Sequence, residues 1–79
     1  MVIVWGEVLW DRFPEGDELG GAPANAAWHL AGLGTPVALA TRIGDDADGA
    51  RARDRLAARG VDVTLVQVDP TRATGEVTV

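Results

Sequence analysis

The sequence predicts an α/β fold built on a mostly parallel sheet, in the order strand, helix, strand, helix, strand, strand. Three observations carry that prediction. Short apolar runs rich in β-branched residues alternate with two alanine-rich stretches of helical period. Glycine or proline stands at each junction. The first runs are too continuously apolar for a half-wet sheet, and such strands belong to parallel sheets with right-handed βαβ crossovers.

Val2-Ile3-Val4-Trp5 reads as a strand buried on both faces, ending at Gly6. The apolar stretch continues through Glu7-Val8-Leu9-Trp10 to a lone carboxylate, Asp11. Ligands of open α/β sheets sit beyond the carboxyl ends of strands, and this reading puts Asp11 there. Arg12 to Leu19 holds Pro14, Gly16 and the acids Glu15, Asp17 and Glu18; it reads as a loop or a small exposed β excursion.

The stretch from Gly20 to Gly34 organises the chain. Gly20-Gly21 lets a backbone or ligand come close, because no Cβ intervenes. Pro23 suits a first helical turn, where its missing N–H goes unnoticed. Ala24, Ala27, Trp28 and Ala31 share one helical face, and Gly32 or Gly34 ends the helix. Thr35-Pro36 turns the chain into a second strand, Val37 to Ile43. Gly44 to Gly49 is an acidic turn in which Asp45 or Asp46 caps a second helix, Ala50 to Arg59. Gly49, Ala52 and Leu56 give that helix a thin apolar stripe. Arg51, Arg55 and Arg59 read as its solvated face, and Gly60 terminates it. A third strand lies within Val61 to Asp69, best over Thr64 to Val68. Asp69-Pro70 is a turn, and Thr74 to Val79 alternates as a half-exposed strand. That pattern breaks off at Val79, so the 79 residues are expected to be part of something longer.

Composition excludes several functions. Seven arginines against twelve acids give a net charge of −5, and lysine is absent. Such a chain has no basic surface for nucleic acid and no polybasic segment for a membrane. Its apolar runs are far below spanning length, and no basic segment precedes Val2 to mark a signal peptide. Without cysteine there are no disulfides and no thiolate metal sites, which fits a reducing cytoplasm. The lone His29 and the Asp45-Asp46-Ala47-Asp48 cluster lack metal-site spacing, so no metal site is expected. Lysine's absence rules out a P-loop; no G-x-G-x-x-G follows the first strand; serine is missing with cysteine, so the common hydrolytic nucleophiles are too.

What remains is a hydroxyl-binding set: Asp11, Gly20, Gly21 and Asn25. A carboxylate accepts hydrogen bonds from hydroxyls, and an amide both donates and accepts. The set suits a polyol, and Asp11 and Asn25 are then expected to share one cavity. The same residues also have purely structural readings: a strand end, a turn and a helix cap. Trp5 and Trp28 are expected in the core, while Trp10 suits either the core or a sugar face. His29 lies one turn beyond Asn25, as an ordinary partly buried side chain or on the same cleft.

These motifs resemble the ribokinase (PfkB-type) carbohydrate kinases over the whole chain. Gly20-Gly21-Ala22-Pro23-Ala24-Asn25, with its alanine-rich helix and Leu33-Gly34, looks like the family's first signature. Gly6 to Asp11 resembles its opening strand and sugar-binding aspartate. Ile43-Gly44-Asp45-Asp46-Ala47-Asp48-Gly49, Gly60-Val61-Asp62 and Thr74-Gly75 match later landmarks in the right order. The Trp10-Asp11 and Gly-Gly-Ala-Pro forms look most like bacterial fructokinase-type members.

The resemblance implies a three-layer ribokinase-like fold, of which residues 1–79 would be the N-terminal βαβαβ portion plus β-lid segments. It implies a cytoplasmic transferase moving the γ-phosphoryl of ATP to a sugar hydroxyl, fructose first, with Mg²⁺ and often a monovalent cation. Asp11 and Asn25 would bind sugar hydroxyls, and Gly20-Gly21 would admit the substrate and hinge a lid formed by Arg12–Leu19 and the strand opening at Thr74-Gly75. The family's catalytic aspartate and nucleotide pocket belong to a C-terminal signature that is not in this sequence. No catalytic residue and no kinase activity is therefore expected of these residues alone. Two alternatives stay open: a folding or lid-paired dimerisation module, and a nucleoside or sugar-phosphate kinase of the same family.

Overall fold

Val2–Trp5 forms β1 in the computed structural model, which describes residues 1–78. The other elements are β2 (Leu9–Phe13), β3 (Gly16–Gly20), α1 (Ala22–Gly32), β4 (Val37–Gly44), α2 (Ala47–Arg59), β5 (Val66–Asp69) and β6 (Gly75–Thr78). They make two sheets. The first is parallel, in the order β1-β4-β5; the second has the order β3-β2-β6, with β2 antiparallel to β3 and parallel to β6. The α/β architecture and its parallel sheet are as expected.

Both helices pack on one face of the parallel sheet and against each other. Ala24 and Ala27 of α1, Ala52 and Leu56 of α2, and Val37 and Leu39 of β4 close the core there, with Val61 at its end. A fully buried leucine such as Leu39 or Leu56 contributes about 1.5–3 kcal/mol by leaving water. The opposite face is bare among the described residues. Strand alternation sends Val4 to the helices and Ile3 and Trp5 to that face, so Trp5 is 77% exposed rather than core. The expectation that β1 is buried on both faces fails for the same reason: β1 is an edge strand with one layer over it.

The apolar stretch does not run on from β1 to Asp11. Gly6 adopts φ 131°, the chain leaves the parallel sheet, and β2 starts a second sheet. Asp11 therefore sits mid-strand in β2, not at the end of β1. The Arg12–Leu19 excursion is the β2–β3 hairpin, closed at Pro14-Glu15. Its Trp10 is fully buried in the core, which settles that residue's reading as structural.

Helix α2 starts three residues earlier than its apolar stripe suggests, because Asp46 caps it by accepting from Gly49 N at 2.7 Å. Gly60, at φ 101°, ends it. The third strand is shorter than expected. Asp62 accepts from Thr64 N at 2.9 Å and Thr64 Oγ1 at 2.7 Å, and this tight turn holds Val63–Leu65 out of the sheet. Strand β6 joins the second sheet, and Val79, the last residue of the expected strand, lies outside the described residues.

Candidate functional site

The two sheets are joined where the β1–β2 connection crosses the start of α1. Gly21 is the helix N-cap at φ 98°, a conformation that favours glycine. A β-carbon there would also stand 2.5 Å from the Glu7 carbonyl oxygen. Gly20 is needed for a different reason. Its backbone is ordinary, but the Asp11 carboxylate lies directly over it, in the space a β-carbon would take.

Asp11 is half-buried and makes no hydrogen bond or ion pair among the described residues. It faces Glu18 across the β2–β3 register, so both carboxylates stand on one face of the second sheet. Asn25 begins the second turn of α1, its backbone N–H bonded to Gly21 O at 3.0 Å and its side chain exposed. Helix α1 has no side-chain cap and no acid in its first turn, so its first N–H groups are open to a ligand's oxygen.

A cleft of about 330 Å³ runs along the outer edge of β3, between α1 and α2. Asp17, Glu18, Leu19, Asn25, Trp28 and Arg55 line it. Asn25 is on its wall and Asp11 is not. The shared cavity expected for that pair is therefore not this cleft, because Asp11 is on the central strand and leans over Gly20. Glu18 borders the cleft from the β3 edge, but the register puts its side chain on the Asp11 face, opposite that of Asp17 and Leu19. His29 is exposed and off the cleft wall, contrary to either expectation for it.

Two polar clusters tie the second sheet down. Thr74 Oγ1 donates to Asp46 Oδ1 at 2.7 Å and accepts from Gly44 N at 2.9 Å, while Thr74 N donates to Asp46 Oδ2 at 2.9 Å. These bonds, Thr74 Oγ1 foremost, hold the Asp46 carboxyl below its ordinary range. In the second cluster Arg12 reaches Asp17, Asp48 and Glu76 at 2.5–3.1 Å. Its pKa is raised, chiefly by the Glu76 hydrogen bond. Arg51 bonds Asp17 and Asp48 and stacks 3.9 Å from the centroid of Trp10. Arg59 stacks 4.9 Å from that of Trp28. The α2 arginines are therefore not merely a solvated face. They remain exposed, but Arg51 and Arg59 also lie over the indole rings of Trp10 and Trp28. Read from sequence, Glu18 is only one acid of the Arg12–Leu19 excursion and Arg55 only part of a solvated helix face.

The model of the pfkB family carbohydrate kinases matches residues 16–79. The chain belongs to this family. This pfkB chain is 39% identical to the fructokinase of Escherichia coli over 83 residues, covering 99% of itself and 27% of that protein. It superposes on the apo fructokinase of Vibrio cholerae O395 with a TM-score of 0.93 at 32% identity, covering 98% of itself and 28% of that chain. On the form of that enzyme bound to fructose, ADP and calcium ion the TM-score is 0.89 at 30% identity, covering 99% of itself and 27% of that chain. The pfkB chain thus spans little more than a quarter of the relatives it matches. Among the described residues no three His, Asp or Glu side chains are placed to hold an ion. No phosphoryl-transfer step is built from them. No helix among the described residues is long and apolar enough to cross a membrane.

Proposed function

We propose that this chain is the sugar-binding N-terminal part of an ATP-dependent, cytoplasmic sugar kinase, with fructose the first candidate substrate. Asp11, Gly20, Gly21 and Asn25 are the hydroxyl-binding residues in this reading. The second sheet is the lid whose closure excludes water, the competing phosphoryl acceptor. ATP, Mg²⁺ and a monovalent cation belong to the remainder of the protein, as does the catalytic base. The observation that carries the reading is the Asp11 carboxylate, unpaired among the described residues, lying over a glycine next to the N-terminus of α1, which has no side-chain cap.

The test is kinetic, on the full-length protein. ATP-dependent phosphorylation of fructose is expected, with Asn25→Ala weakening fructose binding by about 1–3 kcal/mol as its partner groups are left unpaired. No turnover with fructose and no effect of Asn25→Ala would overturn it. A second reading, pairing of two copies through the second sheet without sugar binding, draws on the open side of that sheet, where Val77 is 46% exposed. Calorimetry separates the two: heat on adding fructose belongs to the first reading only.

A further inference from the structure

We propose that Arg12, Asp17, Asp48 and Arg51 form a latch that sets the resting position of the second sheet, and that this latch parts into two neutral ion pairs when the sheet closes over a bound ligand. The inference rests on the reading of that sheet as a lid, and names positioning residues which that reading does not include.

The four side chains make a closed ring of alternating charge. Arg12 donates to Asp17 Oδ2 at 2.6 Å and to Asp48 Oδ2 at 2.5 Å; Arg51 donates to Asp17 Oδ2 at 3.1 Å and to Asp48 Oδ1 at 3.3 Å. Arg12 and Asp17 face each other across β2 and β3, while Asp48 and Arg51 are one turn apart on α2. Two of the four contacts therefore cross from sheet to helix, and two do not. When sheet and helix part, Arg12 keeps Asp17 and Arg51 keeps Asp48, so no charge of the ring is left without a partner. Glu76 on β6 also pairs with Arg12 and travels with the sheet. The four side chains are 22–45% exposed, so water takes up the freed donors and acceptors.

The foot of the sheet is held differently. Thr74, just before β6, is buried and makes three hydrogen bonds, two to the Asp46 carboxylate and one from Gly44 N. A β-carbon on Gly44 would stand 2.5 Å from Thr74 N, and one on Gly49 2.9 Å from Thr74 Oγ1, so two glycines close the socket around it. Trp10, beside that foot on β2, is fully buried. The sheet is thus fixed at Thr74 and Trp10 and held only by exposed charges farther out. Strand alternation gives the direction of movement. Trp10 and Arg12 share the α2 face of β2, and Asp11 is on the other. Movement toward a ligand on the Asp11 face draws Arg12 and Asp17 off α2. The latch therefore stabilises the open position, and ligand binding has to break it.

Calorimetry with fructose on the full-length protein tests the latch. Asp48→Asn removes the acid on the helix side and leaves the main-chain carbonyl that Trp10 uses. Kd for fructose is expected to fall about 1.5- to 5-fold, the scale of one exposed ion pair. Asp48→Glu keeps the charge and should return most of the way to wild type, which a purely steric role would not allow. Added salt should tighten fructose binding by the wild type, and do less in Asp48→Asn, because screening acts on the intact ring. An unchanged or raised Kd in Asp48→Asn, beside a raised Kd in Asn25→Ala, overturns the latch and leaves the wider reading standing. Wild-type binding that salt leaves alone or weakens also overturns it. Should fructose not bind the wild type at all, both fall.

Discussion

The Asp11 carboxylate occupies the space above Gly20 that a β-carbon would need, although the two residues are diagonal and not paired across the hairpin. Leu9 is the residue opposite Gly20, and Glu18 is opposite Asp11. Gly20 has no positive φ, so glycine is required here for room and not for backbone freedom.

Gly20→Ala should therefore act through Asp11. The added methyl pushes the carboxylate aside while the strand itself stays intact. In the full-length protein fructose KM is expected to rise about tenfold, the scale of one charged hydrogen bond lost. The same change in an Asp11→Ala background should do almost nothing, since the group it displaces is gone. A double-mutant cycle on kcat/KM reads the coupling directly; additive losses would show that Gly20 acts independently of Asp11.

Thr74 is a buried polar residue whose hydroxyl both donates and accepts. Thr74→Val keeps the shape, strands Gly44 N and leaves Asp46 Oδ1 only its bond from Gly49 N, so a loss of about 1–3 kcal/mol is expected. Thr74→Ser, which keeps the hydroxyl, should recover most of it. Urea midpoints of the three proteins check this, and equal midpoints for valine and serine would mean that the hydroxyl bonds contribute nothing net.

Acid should destabilise the protein through both polar clusters. Asp46, held mainly by Thr74, and Asp17, held mainly by Arg51 and then Arg12, both have carboxyls lowered from the ordinary 3.8. The folded state then binds fewer protons than the unfolded state near that pH, so stability rises with pH there. Their contribution is complete well above 3.8 and is lost as pH falls through the lowered folded values. Asp46→Asn should flatten part of that acid limb in a series of urea titrations. An acid limb of unchanged slope would show that Asp46 carries none of it.

The local rules visible in the sequence account for much of this fold. Pro23 and the Ala24–Ala27 face place α1, Gly60 ends α2, and the Gly49–Ala52–Leu56 stripe is the buried one. The start of α2 and the length of the third strand are local misses, set by the Asp46 cap and the Asp62–Thr64 turn; the others are tertiary. Trp5 reads as core from its own chemistry, but its exposure depends on which face the helices choose. The apolar run across Gly6 reads as one strand because its residues suit either sheet; only the turn at Gly6 divides them. Residue type alone singles out Asp11, Gly20, Gly21 and Asn25 as the proposed hydroxyl-binding group. That Glu18 stands opposite Asp11 is set by the hairpin register and could not be read from residue type. Thr74 and Asp46 are 28 residues apart in sequence, and nothing local joins them.

Arg12 holds the second sheet to α2 and sets how easily that sheet can move. It lies on the central strand and donates to Asp17 on β3 at 2.6 Å, Glu76 on β6 at 3.0 Å and Asp48 on α2 at 2.5 Å. Trp10 adds one more tie, from its Nε1 to the Asp48 carbonyl at 2.9 Å. Arg12→Met removes three charged ties and leaves the buried indole and the Arg51–Asp17 pair in place. The sheet should therefore loosen without detaching. Amide exchange is expected to speed up over Leu9–Gly20 and Gly75–Thr78 and to stay unchanged over Val37–Gly44, which rests on the helices. Raising salt should move the wild-type protein part of the way in the same direction, because these contacts are partly exposed and screened. Arg12→Lys should rescue little, since a point charge cannot serve three carboxylates in different directions as a planar guanidinium does. Equal exchange in Arg12→Met and wild type would show that the ties of Trp10, Arg51 and Thr74 hold the sheet without Arg12.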